Sequence, residues 1–293
     1  MNEFELRCNK FASLHQRGAP LFLPNCWDYA SAAALAQAGY AAIGTTSAGV
    51  AAAAGKVDAI GATRAENVAL AHGLSRLPIM LTVDIEAGMS DDPDAVADLA
   101  EELSDAGVVG INLEDGRPDR SLGSVELHCA KIAAVKSRTV PLFVNARTDA
   151  FWLADENAPQ STSEALERAT AYVAAGADGV YIPGVADIET VKTLSSALDA
   201  PINFLYMPGC HTFRSLAEAG AARVSTGSLL FRATLKTVVA TAKAAWIDEV
   251  VPDADRPTYA QVQRPWPFGE SDGASMEQPD FASSASAPDK KLS

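Results

Sequence analysis

One phrase recurs four times in this 293-residue chain and sets most of what it can fold into. A helical stretch ends in Ala-Gly, and a short apolar run follows within a few residues. The copies are AGYAAIGTTS (38–47), AGVVGINLED (106–115), AGADGVYIPG (175–184) and AGAARVSTGS (219–228). Gly just past a helix supplies the left-handed residue that stops it. Four more apolar runs are entered through proline: APLFLPN (19–25), LPIMLTVD (77–84), VPLFVNAR (140–147) and APINFLYM (200–207). Between these eight runs lie helical patterns near 28–38, 63–76, 93–106, 124–138, 161–175, 187–198, 211–219 and 228–247. Strand-then-helix repeated eight times predicts an α/β chain folded as a (β/α)8 TIM-type barrel. An open doubly wound sheet alternates in the same way and is the alternative.

The barrel is expected over residues 1–248, followed by a Pro-rich, aromatic arm over 249–269. Residues 270–293 are rich in Ser, Ala and Pro and poor in large apolar side chains, the composition of a disordered tail. Long, mobile loops are expected at 48–62 and 151–161. A net charge of −14 excludes a nucleic-acid or anionic-membrane surface, both of which need a basic face. No apolar stretch is long enough to span a membrane, and MNEFELRCNKF lacks the apolar segment of a secretory signal. Cys8, Cys26, Cys129 and Cys210 have no spacing that suggests a zinc site or a disulfide frame. The expected setting is cytoplasmic.

Function concentrates where apolar runs break into charge. IMLTVDIEAG (79–88), VGINLEDG (109–116) and PLFVNARTDA (141–150) each end in ionisable residues. In a barrel those C-terminal strand ends line the active-site face. Asp84 and Glu86 sit at the end of the strand, where alternation puts both carboxylates on one face and they could hold one hard cation. Pro93 at the next helix's first position makes Asp92, rather than Asp84, the better cap. Glu114 closes the next strand as a further metal contact, and Asp115 beside it reads as metal-associated or structural. Arg147 either forks onto a substrate carboxylate or pairs permanently with Asp149 or Glu114. Thr46, Ser47, Ala48 and Gly49 could form a nest of backbone N–H groups around an anion. His211, just after a strand, is the one histidine near the expected mouth. Cys129 sits in a helical pattern and reads as packing.

Taken together, TTSAGVAAAAG with Asp58, DIEAG, INLED, NARTDA, YIPG and PINFL resemble the isocitrate lyase/phosphoenolpyruvate mutase superfamily over roughly residues 10–247. The resemblance implies a (β/α)8 barrel whose last helix is swapped between subunits, a homodimer or homotetramer, and Mg²⁺ (or Mn²⁺) holding a small 2-oxo or enol carboxylate. It implies Asp84, Glu86 and Glu114 as metal-binding carboxylates and Asp58 as a mobile-loop acid. Ser47, Ala48 and Gly49 become the backbone carboxylate cradle and Arg147 the substrate arginine; Thr46, Asn203 of PINFL and His211 complete the candidate substrate-binding set.

The chain also departs from the family pattern. GRPDRSLGSVELHC replaces the lyases' Lys-Lys-Cys-Gly-His run, and it also lacks the Phe-Pro-Lys loop of the mutases and phosphonopyruvate hydrolases. Gly184 stands where lyases carry Glu, and Asp-x-Glu replaces Asp-x-Asp. The function expected is a Mg²⁺-dependent lyase that cleaves a C–C bond of an oxaloacetate-like 2-oxo or 2-hydroxy (di)carboxylate through an enolate. The alternatives are P–C bond chemistry and a non-catalytic binding barrel. The expected partner is a small carboxylate, with no nucleic acid or membrane.

Overall fold

A computed structural model describes residues 2–138, 141–154, 161–251 and 257–263. Nine strands pair in parallel throughout: β1 (Leu21–Leu23), β2 (Asn25–Cys26), β3 (Ala42–Thr45), β4 (Met80–Asp84), β5 (Gly110–Glu114), β6 (Phe143–Arg147), β7 (Gly179–Ile182), β8 (Ile202–Leu205) and β9 (Arg223–Ser225). The sheet runs β1-β9-β8-β7-β6-β5-β4-β3-β2, so its two ends are consecutive pieces of one run of chain. Pro24, which has no N–H to give a ladder, separates them. β1 pairs with β9 and β2 with β3, which nearly closes the barrel. All eight strand runs of the sequence are strands, and the open-sheet alternative is set aside.

The expected helices are α2 (Tyr29–Gln37), α4 (Arg64–Leu74), α5 (Pro93–Asp105), α6 (Val125–Ser137), α7 (Thr162–Ala174), α8 (Ile188–Ala197), α9 (Phe213–Glu218) and α10 (Leu229–Trp246). Asp92 caps α5 through the amide of Asp94, with Pro93 in the first turn, as the sequence leads one to expect. Val96, Leu99, Ala100 and Leu103 then turn one face of α5 onto the strands. Three helices were not foreseen: α1 (Glu3–Ser13), α3 (Ser47–Ala53) and α11 (Tyr259–Gln263). The loop expected at 48–62 therefore begins as helix, and residues 155–160 of the second expected loop lie outside the described residues. So does most of the arm and all of the tail.

The N-terminal end of the barrel is closed by α1. Phe11 meets Phe143 edge-on with ring centroids 5.6 Å apart, and His15 stacks on Phe143 at 4.2 Å. Burial lowers the His15 pKa to about 3, so this imidazole is neutral packing. Above this plug the interior is polar, where barrel cores usually hold branched apolar side chains. Asn112 Oδ1 accepts from Asn145 Nδ2 at 2.9 Å and from the fully buried Arg223 Nη2 at 3.2 Å. α10 buries none of its residues and exposes Leu235, Val238, Val239 and Trp246 at helical spacing. No helix among the described residues is long and apolar enough to cross a membrane.

Candidate active site

A cavity of about 490 Å³ opens at the C-terminal end of the barrel. Its polar wall carries Thr46, Ser47, Ala48, Asp58, Asp84, Asn112, Arg147 and Tyr181. Six of the residues singled out from sequence (Thr46, Ser47, Ala48, Asp58, Asp84 and Arg147) therefore share one chamber.

Asp84 ends β4. Its backbone N–H donates to Thr45 Oγ1 at 2.9 Å, and its Oδ1 accepts the N–H of Glu86 at 3.1 Å. Burial raises its pKa to about 6, against the pull of Arg147. Asp58 reaches the same cavity, with its Oδ1 buried and without a hydrogen-bond partner among the described residues.

Arg147 ends β6 directly across from Glu114 in the β5–β6 register. Its Nη1 lies 2.7 Å from Glu114 Oε2, while Nε and Nη2 fork onto Asp149 at 2.6 and 3.1 Å. Tyr181 covers the guanidinium, with its ring centroid 5.5 Å from Cζ. Burial drives Glu114 well above the usual carboxylate range, and it also raises Asp149; Arg147 opposes both shifts. The carboxylates in turn outweigh the burial that disfavours the charged guanidinium. Of the alternatives for Arg147, permanent pairing is thus realised with both carboxylates, and the residue still lines the cavity.

The three carboxylates expected to hold one metal are not brought together. Among the described residues no three His, Cys, Asp or Glu side chains converge on a point. The reason at Glu86 is local: β4 stops at Asp84, and Glu86 takes a left-handed backbone with φ of 52°. Strand alternation does not extend to it, and its carboxylate swings away from the cavity. Oε2 accepts the N–H of Gly61 at 2.8 Å and Oε1 the hydroxyl of Thr63 at 2.7 Å. Glu86 thus fastens the segment that carries Asp58. Glu114 is engaged with Arg147 and is not on the cavity wall.

The expected nest at 46–49 is the start of α3, with Thr46 as its N-cap and no side chain capping the first turn. Gly49 is not a liner: a Cβ there would come within 2.8 Å of Trp27 Cβ, so glycine lets α3 pack against that indole. Asn203 lies one layer deeper and accepts from Ser225 Oγ at 3.2 Å. His211 is buried outside the cavity lining. Asp115 is structural, accepting from Asp149 N at 2.8 Å, Tyr172 Oη at 2.6 Å and Arg168 Nη1 at 3.2 Å. Cys129 packs toward α7, Sγ 3.5 Å from the Ala171 carbonyl. Sequence reasoning missed Asn112, Tyr181 and the interior Arg223; a charged residue inside the strand run AARVS was the available signal.

The phosphoenolpyruvate phosphomutase family model matches residues 11–246. The chain belongs to that family, within the isocitrate lyase/phosphoenolpyruvate mutase superfamily. An uncharacterized protein of Mycobacterium tuberculosis is 42% identical over 253 residues, covering 86% of this chain and 94% of that one. The 2-methylisocitrate lyase of Shewanella oneidensis is 32% identical, covering 67% and 70%. A solved Burkholderia cenocepacia protein assigned as a phosphonomutase superposes with a TM-score of 0.78 at 36% identity, covering 83% and 99%. Phosphonopyruvate hydrolase in complex with oxalate and Mg²⁺ shares the fold alone, with a TM-score of 0.75 at 19% identity, covering 87% and 93%.

Proposed function

We propose that this protein is a Mg²⁺-dependent lyase that cleaves a C–C bond of a 2-oxo or 2-hydroxy carboxylate through an enolate. The observation that carries this reading is the single cavity in which Asp58, Asp84, Asn112 and Arg147 face the first turn of α3. Uncapped amides at a helix start and a guanidinium both favour an anion, and Asp84 favours a cation beside it. The donor set suits Mg²⁺, which takes one or two protein carboxylates and keeps several waters, better than a full protein cage. Asp84 would hold the ion (or Mn²⁺ in its place), and the unpartnered Asp58 Oδ1 is the second free carboxylate oxygen on that wall. Glu86 and Glu114 act at one remove, one fixing the loop and the other fixing Arg147.

When bound, the metal supplies a Lewis acid for charge that develops on the substrate's 2-oxygen. The chain's own groups do the rest. Arg147, held by two carboxylates and stacked under Tyr181, presents its remaining N–H donors to the substrate carboxylate. In a 2-oxo substrate the C3–C4 bond breaks and its electron pair moves into the C2–C3 enolate. The fragment departs as CO₂ or, once its C4 hydroxyl has given its proton to Asp58 or a water beside it, as a carbonyl compound. In a 2-hydroxy substrate the C2 hydroxyl gives up that proton and becomes the carbonyl as C2–C3 breaks, and the pair left on C3 is delocalised into a carboxylate attached there. Asp58 or a water beside it then returns a proton to C3. Relatives named 2-methylisocitrate lyase and oxaloacetate decarboxylase support C–C cleavage. The neighbour assigned as a phosphonomutase supports P–C chemistry as the second reading. The exposed apolar stripe of α10 supports assembly through that helix, and free cysteines without a pairing pattern agree with a cytoplasmic setting.

The test is turnover of a panel of 2-oxo, 2-hydroxy and phosphono acids with Mg²⁺ and with EDTA. EDTA-sensitive release of pyruvate, glyoxylate or CO₂ is expected. Phosphate or phosphoenolpyruvate as the sole product would favour the second reading, and a silent panel would leave a binding barrel.

A further inference from the structure

The cavity has two unlike walls. Away from the strand-end charges, Trp152, Pro183, Leu205, Tyr206, Met207 and Leu229 bring apolar surface to the same cavity, with Arg232 one turn of α10 past Leu229. Trp152 leaves 49% of its surface exposed although it borders a cavity of about 490 Å³. Ligand pockets of roughly 300–1,000 Å³ enclose molecules much larger than oxalate. An indole held half-bare at a site mouth is apolar area waiting for cover.

The backbone reserves this wall for the indole. Gly184 follows Pro183 with φ of 86°, and a Cβ on it would come within 3.1 Å of the Phe151 carbonyl and of Trp152 Cα. A side chain at 184 would therefore crowd the turn that carries the indole, on a backbone conformation that favours glycine. Resting on the proposed carboxylate-binding function, we infer that the substrate is a 2-oxo or 2-hydroxy acid whose far end carries an apolar alkyl or aryl group packed against Trp152. A polar group packed on the indole would give up hydration that Pro183, Leu205 and Met207 cannot replace.

N-substituted oxamates test this, because they keep the 2-oxo carboxylate head and vary only the far end. Calorimetry with Mg²⁺ would compare oxamate with its N-ethyl, N-butyl and N-benzyl forms. Affinity is expected to rise about fourfold for each methylene buried. Trp152→Ala should flatten that gradient while leaving oxamate itself within about twofold, and Trp152→Phe should restore most of it. Trp152 is half exposed, so these variants fold. N-Butyl-oxamate binding no tighter than oxamate, or a full gradient in Trp152→Ala, would overturn the inference while sparing the carboxylate site. Loss of oxamate binding itself in the native protein would overturn the site reading, and the inference with it.

Discussion

The two ends of the barrel solve opposite problems. At the N-terminal end, Phe11, His15 and Phe143 form a closed plug in which even the imidazole is neutral. At the C-terminal end, Glu114, Arg147, Asp149 and Asp84 are buried as charged or near-charged groups at the edge of a cavity. The plug is held by apolar contact, whereas the mouth pairs Glu114 and Asp149 with Arg147 and gives Asp84 the N–H of Glu86. The contrast separates stability from function: one end tolerates no cavity, and the other is built around one.

Substitutions at the two ends should therefore fail differently. Phe143→Ala should lose about 3–5 kcal/mol of stability by opening a void in the plug. Its ligand affinity, measured on the folded fraction, should be unchanged. Arg147→Ala should cost a comparable 3–5 kcal/mol, since it leaves two buried carboxylates unpaired, and should also abolish oxalate binding. Equal loss of ligand binding in both variants, read by calorimetry at a temperature where both are folded, would erase the distinction. The pairing on both sides makes Arg147 a stability residue as much as a substrate clamp, so Arg147→Lys should lower Tm as well as affinity.

A pH titration sharpens the comparison. Asp84 has its folded-state pKa raised to about 6, above the ordinary 3.8. Between those values the unfolded chain has released the proton and the folded chain has not, so this group makes the metal-free protein less stable as pH rises from about 4 to 6. Mg²⁺ needs the ionised carboxylate and should bind progressively worse as pH falls through about 6. Metal affinity flat across that range would remove Asp84 from the site.

Glu86→Gln should do less. It keeps one acceptor but gives up the charge that holds Gly61 and Thr63, at a cost of about 1–3 kcal/mol. Limited proteolysis within residues 54–62 should accelerate, with oxalate affinity reduced in step. Unchanged cleavage with lost metal affinity would return Glu86 to the metal. Cys129→Ser should be the mildest, within about 0.5 kcal/mol and without effect on ligand, because the thiol packs against α7 away from the cavity.

The strands were legible because their signals are punctuation: Ala-Gly or Pro before a short apolar run marks a strand whatever surrounds it. The helices that escaped were legible too. Asn2 and Glu5 form a capping box ahead of α1, and AGVAAAA is a run of the strongest helix former. Each signal shares its residues with another: the start of the first segment also bears on a secretory signal, and the glycine and hydroxyl groups at the start of the second also bear on anion binding. Glu86 was misplaced for a physical reason: alternation holds only while the strand lasts, and a left-handed residue two positions past its end reverses the side chain. Pairing is the least legible property, since nothing in NARTDA or INLED says that one guanidinium serves Glu114 and Asp149 at once.

The most direct test of the proposed chemistry is the melting temperature with Mg²⁺, with oxalate and with both, in the native protein and in Asp84→Asn. A metal-bridged carboxylate site predicts that oxalate stabilises strongly only when Mg²⁺ is present. Asp84→Asn should abolish that coupled shift while melting, without ligand, at or above the native temperature, because a buried charge has been removed. A native protein that shows no coupled shift at saturating Mg²⁺ and oxalate would contradict the account.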